Sequence, residues 1–260
     1  MKSFLWVFLV MALLVAGHFV YAGLPLSYAG WQPATCVVNG NCFCEASRSG
    51  AVVQPSNTLS NLFYVLAGLL ALADHLRLPR AQFPLIRRRA YALTFAIGIV
   101  VVGLGSWFYH ASLTFIGQWF DLLGMYLIVS FILLYNLARL RPLPGWGFGL
   151  AYFALNLGLG IWQAALPELR RETFLVLLLA ALGLEALILL RRKPAILVRL
   201  FFAGLATFAA GYAFWLLDNG RAWCDPNSWL QGHSLWHLGG ATACGLLYLY
   251  YRSEQEKARR

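Results

Sequence analysis

Eight apolar runs divide the chain, at about 4–23, 57–75, 90–109, 119–137, 146–166, 172–190, 196–217 and 232–251. Each comes close to the roughly 20 residues that an α-helix needs to cross a bilayer. The runs are apolar on all faces, built from Leu, Ala, Val, Phe and Gly. In lipid only helices or closed barrels pair every backbone group, and runs of this length favour helices. Most connections are short, so successive helices pack antiparallel. Pro55, Pro84, Pro142, Pro144 and Pro194 stand at the edges of the runs, where a missing N–H donor bounds a helix. The predicted fold is all-α: a polytopic transmembrane helical bundle with a seven-helix core over 57–251. One N-terminal apolar helix or signal segment, 1–23, precedes it. A segment at 24–56, with Gly, Pro, Cys and Asn but few charges, predicts a small cap, and 252–260 form a basic tail. The stretch Val20-Tyr21-Ala22 fits a cleaved secretory signal. The first run stays apolar to about Leu26, however, which favours a retained helix.

Composition agrees with this pattern. Hydrophobic residues make up 60% of the 260 and charged residues only 12%, with a mean hydropathy of +0.66. That is too little charge to cover a soluble domain. A formal net charge of +10 would point to nucleic acid in a soluble protein. Here the charge sorts by side. Arg48, Arg170, Arg171 and Arg221 fall on one side of the predicted spans, and the other sixteen of the 20 basic residues fall on the opposite side. Lys and Arg are retained in the cytoplasm, so the rich side and the C-terminus are cytoplasmic and the cap external. The charge reflects topology, and no nucleic-acid partner is expected. Cys36, Cys42, Cys44 and Cys224 lie in external connections and Cys244 inside the last run. The external four are placed to form two disulfides or to remain thiols.

The polar residues inside the runs converge on the external leaflet. Ser106 and His110 lie four apart on one helix face, and Asp121 falls in the first turn of the next helix. His233 and His237 are one turn apart in the last run. Asn57, Thr58, Ser60 and Asn61 open the run at 57–75. An intramembrane histidine is costly and marks function by default. Three imidazoles that leave one position open are how a catalytic zinc is held, and such a zinc lowers the pKa of water to about 7. Beside it, Asp121 would exchange protons and Ser106 would support a developing oxyanion. Plainer readings exist. Ser106 can be a small residue at a helix contact, and Asp121 a helix N-terminal charge. His18 and His75 read as wetted or hydrogen-bonded interfacial side chains. Glu185 reads as paired or snorkelling near Arg191 and Arg192, and Asn136, Asn156 and Asp74 as interhelical or interfacial polar residues.

Three stretches carry a family resemblance: CEASRSGAVVQPSNTLSN (44–61), GLGSWFYHASL with QWFDLLGMY (103–113 and 118–126), and CDPNSWLQGHSLWH (224–237). The chain resembles the alkaline ceramidases, part of a superfamily of seven-helix membrane hydrolases that also includes progestin and adipoQ receptors. The resemblance implies zinc on His110, His233 and His237, catalytic roles for Ser106 and Asp121, the latter as general base, and a Cys44–Cys224 disulfide. The segment at 4–23 would be an added helix. Eukaryotic members hold calcium around their Cys-Glu motif with several acids. Here Glu45 matches as a remnant, but Cys42 stands in place of an Asp and Gln54 in place of a Glu. Calcium wants six to eight oxygens, so it is not expected.

The resemblance implies a zinc-dependent amidohydrolase that cleaves the N-acyl bond of ceramide-like lipids to a sphingoid base and a fatty acid. Its partner is a membrane lipid reaching the site laterally from the bilayer, near the external leaflet. An ester-cleaving phospholipase of the same superfamily would use the same residues. A non-catalytic seven-helix lipid receptor is the third reading, weakened by the lack of a long basic N-terminal domain.

Overall fold

A computed structural model describes residues 2–78 and 83–255, the side chains of residues 2 and 3 aside. Arg80, Lys257, Arg259 and Arg260, counted above among the basic residues, lie outside the described residues, as does most of the tail. The described chain is helical, with no named strands: α1 (Lys2–Ala22), α2 (Thr35–Val38), α3 (Pro55–Ser60), α4 (Leu62–Arg77), α5 (Arg89–Ser112), α6 (Phe115–Leu140), α7 (Gly145–Ala165), α8 (Arg170–Arg192), α9 (Val198–Asn219) and α10 (Gly232–Arg252). α3 and α4 form one run broken at Asn61. With that run taken as one span, the core of seven long helices plus α1 matches the predicted architecture.

Among the described residues, seven helices are long and apolar enough to cross a membrane, α1 and the α3–α4 run among them. The eighth predicted span, α10, forms a helix of 21 residues but is too polar to meet that standard. Its two histidines, Ser234 and Thr242 lower its hydropathy, and α9, packed along it, covers part of it. A second difference concerns α6. It starts at Phe115 rather than near 119, because Thr114 caps it by accepting a hydrogen bond from Gly117 N at 3.2 Å. Asp121 therefore lies in the second turn, away from the orphan N–H groups that a helix-terminal charge would serve.

Close helix contacts bring α5 against its neighbours on both sides. A Cβ at Gly103 would stand 2.8 Å from the Asn61 carbonyl, and one at Gly105 would stand 2.9 Å from the Phe120 carbonyl. Only glycine lets α5 approach α4 and α6 this closely. The end of the bundle away from the cap is filled by aromatic rings, including Tyr91, Phe95, Phe131, Tyr135, Phe148, Tyr248 and Tyr251. Arg139 is buried there and pairs with Glu185 at 2.7 Å and Glu254 at 3.1 Å. Glu185 thus reaches across to α6 rather than to its own helix's Arg191 and Arg192, and it also accepts from Tyr250. Asp74 accepts from Tyr248 at 3.0 Å and pairs with Arg252 at 3.1 Å. Asn156 bonds Ser130, and Asn136 bonds the Ala181 carbonyl.

The cap sits on the other end. Backbone bonds zip it to the α5–α6 turn: Ala34 N to Leu113 O (2.9 Å), Phe115 N to Gln32 O (2.8 Å), Val53 N to Ala111 O (2.9 Å) and Gln54 N to His110 O (3.1 Å). Cys36–Cys42 and Cys44–Cys224 are disulfides. α1 joins the same end through His18, whose Nδ1 accepts from Trp107 at 3.2 Å, and through Tyr21, which bonds Tyr28 of the cap.

Candidate metal centre

His110 near the end of α5 and His233 and His237 in the first turns of α10 meet beneath the cap. Their nearest ring nitrogens all lie within 4.8 Å of one another, and the Nε2 atoms of His110 and His233 are 3.1 Å apart. All three rings are buried, His110 completely. The cap end of α5 supplies one ligand and the start of α10 two, because one helical turn separates 233 from 237 on the same face.

The far nitrogens decide what the near ones can do. His110 Nδ1 lies 2.9 Å from Gln54 Oε1. The Gln54 amide is oriented by its own Nε2, which donates to the Glu45 carbonyl at 3.2 Å, so Oε1 accepts and His110 carries its proton on Nδ1. His237 Nδ1 lies 2.7 Å from Ser60 Oγ, and that hydroxyl donates to Asn57 O at 2.9 Å. Ser60 therefore accepts from Nδ1–H. Both rings are left with an Nε2 lone pair facing the centre of the group, the tautomer that metal-ligating histidines adopt. A set of neutral imidazoles with no carboxylate suits zinc and its first-row neighbours. The residues fit a metal ion.

Asp218, fully buried at the end of α9, accepts from His233 N (3.0 Å) and from Cys44 N (2.9 Å). It caps the start of α10 and fastens it to the cap in one group. Glu45 does the same for α3: its two carboxylate oxygens accept from Ser56 N (2.7 Å) and Asn57 N (2.8 Å). Burial raises the Glu45 carboxyl above its usual pKa, against these two bonds that favour its charge. Both of its oxygens serve the helix terminus. Cys42, with its sulfur in a disulfide, and Gln54, committed to His110, have structural uses of their own.

Ser106 is buried, and its Oγ has no hydrogen-bond partner of ordinary length. It lies one turn before His110 on α5. The Asp121 carboxyl on α6 lies within side-chain hydrogen-bonding reach of Ser106. Tyr64 is within electrostatic reach of Asp121, with its ring 6.4 Å from that of His237. The structure thus brings the histidines together, sets Asp121 beside Ser106, and links the two groups through α5 and Tyr64. Gln54, Asp218, Tyr64 and Phe43 were not identified from sequence as parts of a site. The cysteines flanking Phe43 were the one local signal available for it.

A buried three-histidine group at one end of a polytopic helical bundle defines a membrane protein able to hold a metal in its apolar interior. The model of the family described as Ceramidase matches residues 41–259. The chain belongs to the ceramidase family, and this membership implies a hydrolase that acts on the amide bond of ceramide-type lipids. A comparison with curated proteins found no match.

Proposed function

We propose that the protein is a zinc-dependent amidohydrolase that frees the fatty acid from the sphingoid base of a membrane ceramide, with His110, His233 and His237 as metal ligands. The observation that carries this reading is the pair of fixed tautomers: Gln54 and Ser60 each take an Nδ1–H and turn an Nε2 lone pair inward. A zinc held by these three histidines would supply Lewis-acid polarisation of the amide carbonyl and activation of water. The Asp121 carboxylate takes a proton from the attacking water and delivers it to the amide nitrogen as the C–N bond breaks. Ser106 Oγ, which stands beside the Asp121 carboxyl, donates a hydrogen bond to the carbonyl oxygen as negative charge develops on it.

The lipid enters from the bilayer, since the described chain has no soluble domain to extract it. Because the sequence assigns 16 of its 20 basic residues to one side of the spans and the cap to the other, the C-terminus is cytoplasmic and the site lies near the external leaflet. Purified protein given matched N-acyl and O-acyl lipids tests the reading. Preferential amide cleavage, lost in His237→Ala together with bound zinc, is expected. Undiminished turnover by the zinc-free variant defeats the mechanism, ester preference reassigns the substrate, and tight binding without turnover favours a receptor.

A further inference from the structure

Two of the three histidines have the far ring nitrogen fixed by a hydrogen bond, and one does not. His110 Nδ1 meets Gln54 and His237 Nδ1 meets Ser60, whereas His233 Nδ1 is buried and unpartnered. A ligating imidazole ordinarily takes its orientation from the partner of its second nitrogen. What faces His233 instead is Phe43, with ring centroids 3.8 Å apart and an interplanar angle of 36°. The same phenyl ring lies 5.0 Å from His110 and 6.2 Å from Tyr109.

The backbone that carries Phe43 is held from several directions. Cys42 is cross-linked to Cys36, and Cys44 to Cys224. Arg221 donates to the Cys42 carbonyl at 2.9 Å and to the Cys44 carbonyl at 3.3 Å. It does so from a left-handed backbone conformation, φ +58, which a residue with a side chain seldom adopts. Asp218 takes Cys44 N with one oxygen and His233 N with the other. One carboxylate therefore sets the spacing between the Cys42-Phe43-Cys44 segment and the helical turn that bears His233. Beside this segment lies a cavity of about 350 Å³, lined in part by Cys42, Phe43, Cys44 and Arg221. That space offers room for an unrestrained ring to leave the histidines.

We infer that Phe43 is a positioning residue for the metal: the clamped Cys42-Phe43-Cys44 segment presses its ring onto His233 and sets the imidazole that no hydrogen bond orients. This rests on reading the three histidines as a metal centre. A tilted ring in van der Waals contact at this distance supplies dispersion attraction and blocks rotation of the imidazole, while Gln54 and Ser60 do the equivalent work for the other two ligands by hydrogen bonding. The metal's affinity is thereby tied to the integrity of the cap.

The test uses the full-length purified chain, stripped of metal and titrated with zinc against a chromophoric chelator, with the absorption spectrum of the cobalt-substituted protein as a second readout. Wild type is expected to take one zinc per chain. Phe43→Ala and Phe43→Leu are expected to bind about 10–100-fold more weakly and to shift the cobalt spectrum, while Phe43→Trp, which keeps a stacking ring, recovers most of the affinity. Arg221→Ala, which loosens the clamp without touching either ring, gives a smaller loss and carries the test if Phe43→Ala does not fold. Wild-type zinc affinity and an unchanged cobalt spectrum in Phe43→Leu or Arg221→Ala overturn the inference, as does a Phe43→Trp protein as weak as Phe43→Leu. A wild-type chain that binds no zinc is a different result, and defeats the metal centre itself.

Discussion

Replacing Gln54 with leucine removes a single carboxamide on which two elements depend. Gln54 is fully buried; its Oε1 takes His110 Nδ1–H at 2.9 Å, and its Nε2 donates to Glu45 O at 3.2 Å. Leucine fills nearly the same volume, and the bond from the backbone N of position 54 to His110 O is retained, so the cap stays seated. The His110 N–H and the Glu45 carbonyl lose their partners in a buried place, at about 1–3 kcal/mol each. The proton on His110 is also no longer fixed at Nδ1, so zinc binding is expected to weaken about 10–100-fold, equivalent to roughly 1.4–2.7 kcal/mol. Gln54→Glu separates the two effects. It keeps an acceptor for His110 and loses the donor to Glu45, so it should lower stability while largely keeping zinc. Thermal unfolding in detergent and zinc competition on both variants read the two terms independently. A Gln54→Leu protein with wild-type zinc affinity would refute the claim that this amide sets the His110 tautomer.

Other outcomes follow from the same geometry. Asp121→Asn is expected to cut turnover about 10²–10⁴-fold while zinc stoichiometry stays at the wild-type value, as measured by elemental analysis of the same preparation. Glu45→Gln turns one of the two acceptors at the start of α3 into a donor facing an N–H, and is expected to lower unfolding stability by about 1–3 kcal/mol. Because burial raises the folded-state pKa of Glu45, its contribution is greatest below the unfolded value of about 4.3 and declines as pH rises through the folded one. The glutamine variant should lack that component in unfolding curves recorded from pH 4 upward. Arg139→Met leaves Glu185 buried and unpaired, for a loss of about 3–5 kcal/mol. Arg139→Met combined with Glu185→Leu should recover most of it, with zinc affinity unchanged because the pair sits at the far end of the bundle.

Much of the architecture was legible in the chain itself because the bilayer imposes it. Apolar runs of fixed length show where helices lie, and the His233 and His237 spacing puts two imidazoles on one face of α10 whatever the tertiary structure. The fixing of the tautomers was not legible. Gln54 and His110 are 56 residues apart and Ser60 and His237 are 177 apart, and no periodicity links them. Phe43 is one of 18 phenylalanines, and its role appears only once Asp218 and Arg221 are seen to hold the segment around it. The apolar run begins near 119 and so predicts Asp121 in a first helical turn. The Thr114 cap, set by a short side-chain bond, starts the helix earlier. Sequence proximity points Glu185 to Arg191 and Arg192, whereas burial favours the pre-organised guanidinium of Arg139 on a facing helix, with Tyr250 completing its shell.

The central claim is that His110, His233 and His237 together hold one catalytic metal ion. The most direct measurement is the zinc content of purified active protein, followed as the metal is withdrawn by a chelator and restored. The account predicts one zinc per chain, with ceramide hydrolysis falling and returning in proportion to occupancy, and no zinc retained by His110→Ala, His233→Ala or His237→Ala. Full hydrolytic activity in protein stripped of metal would contradict it.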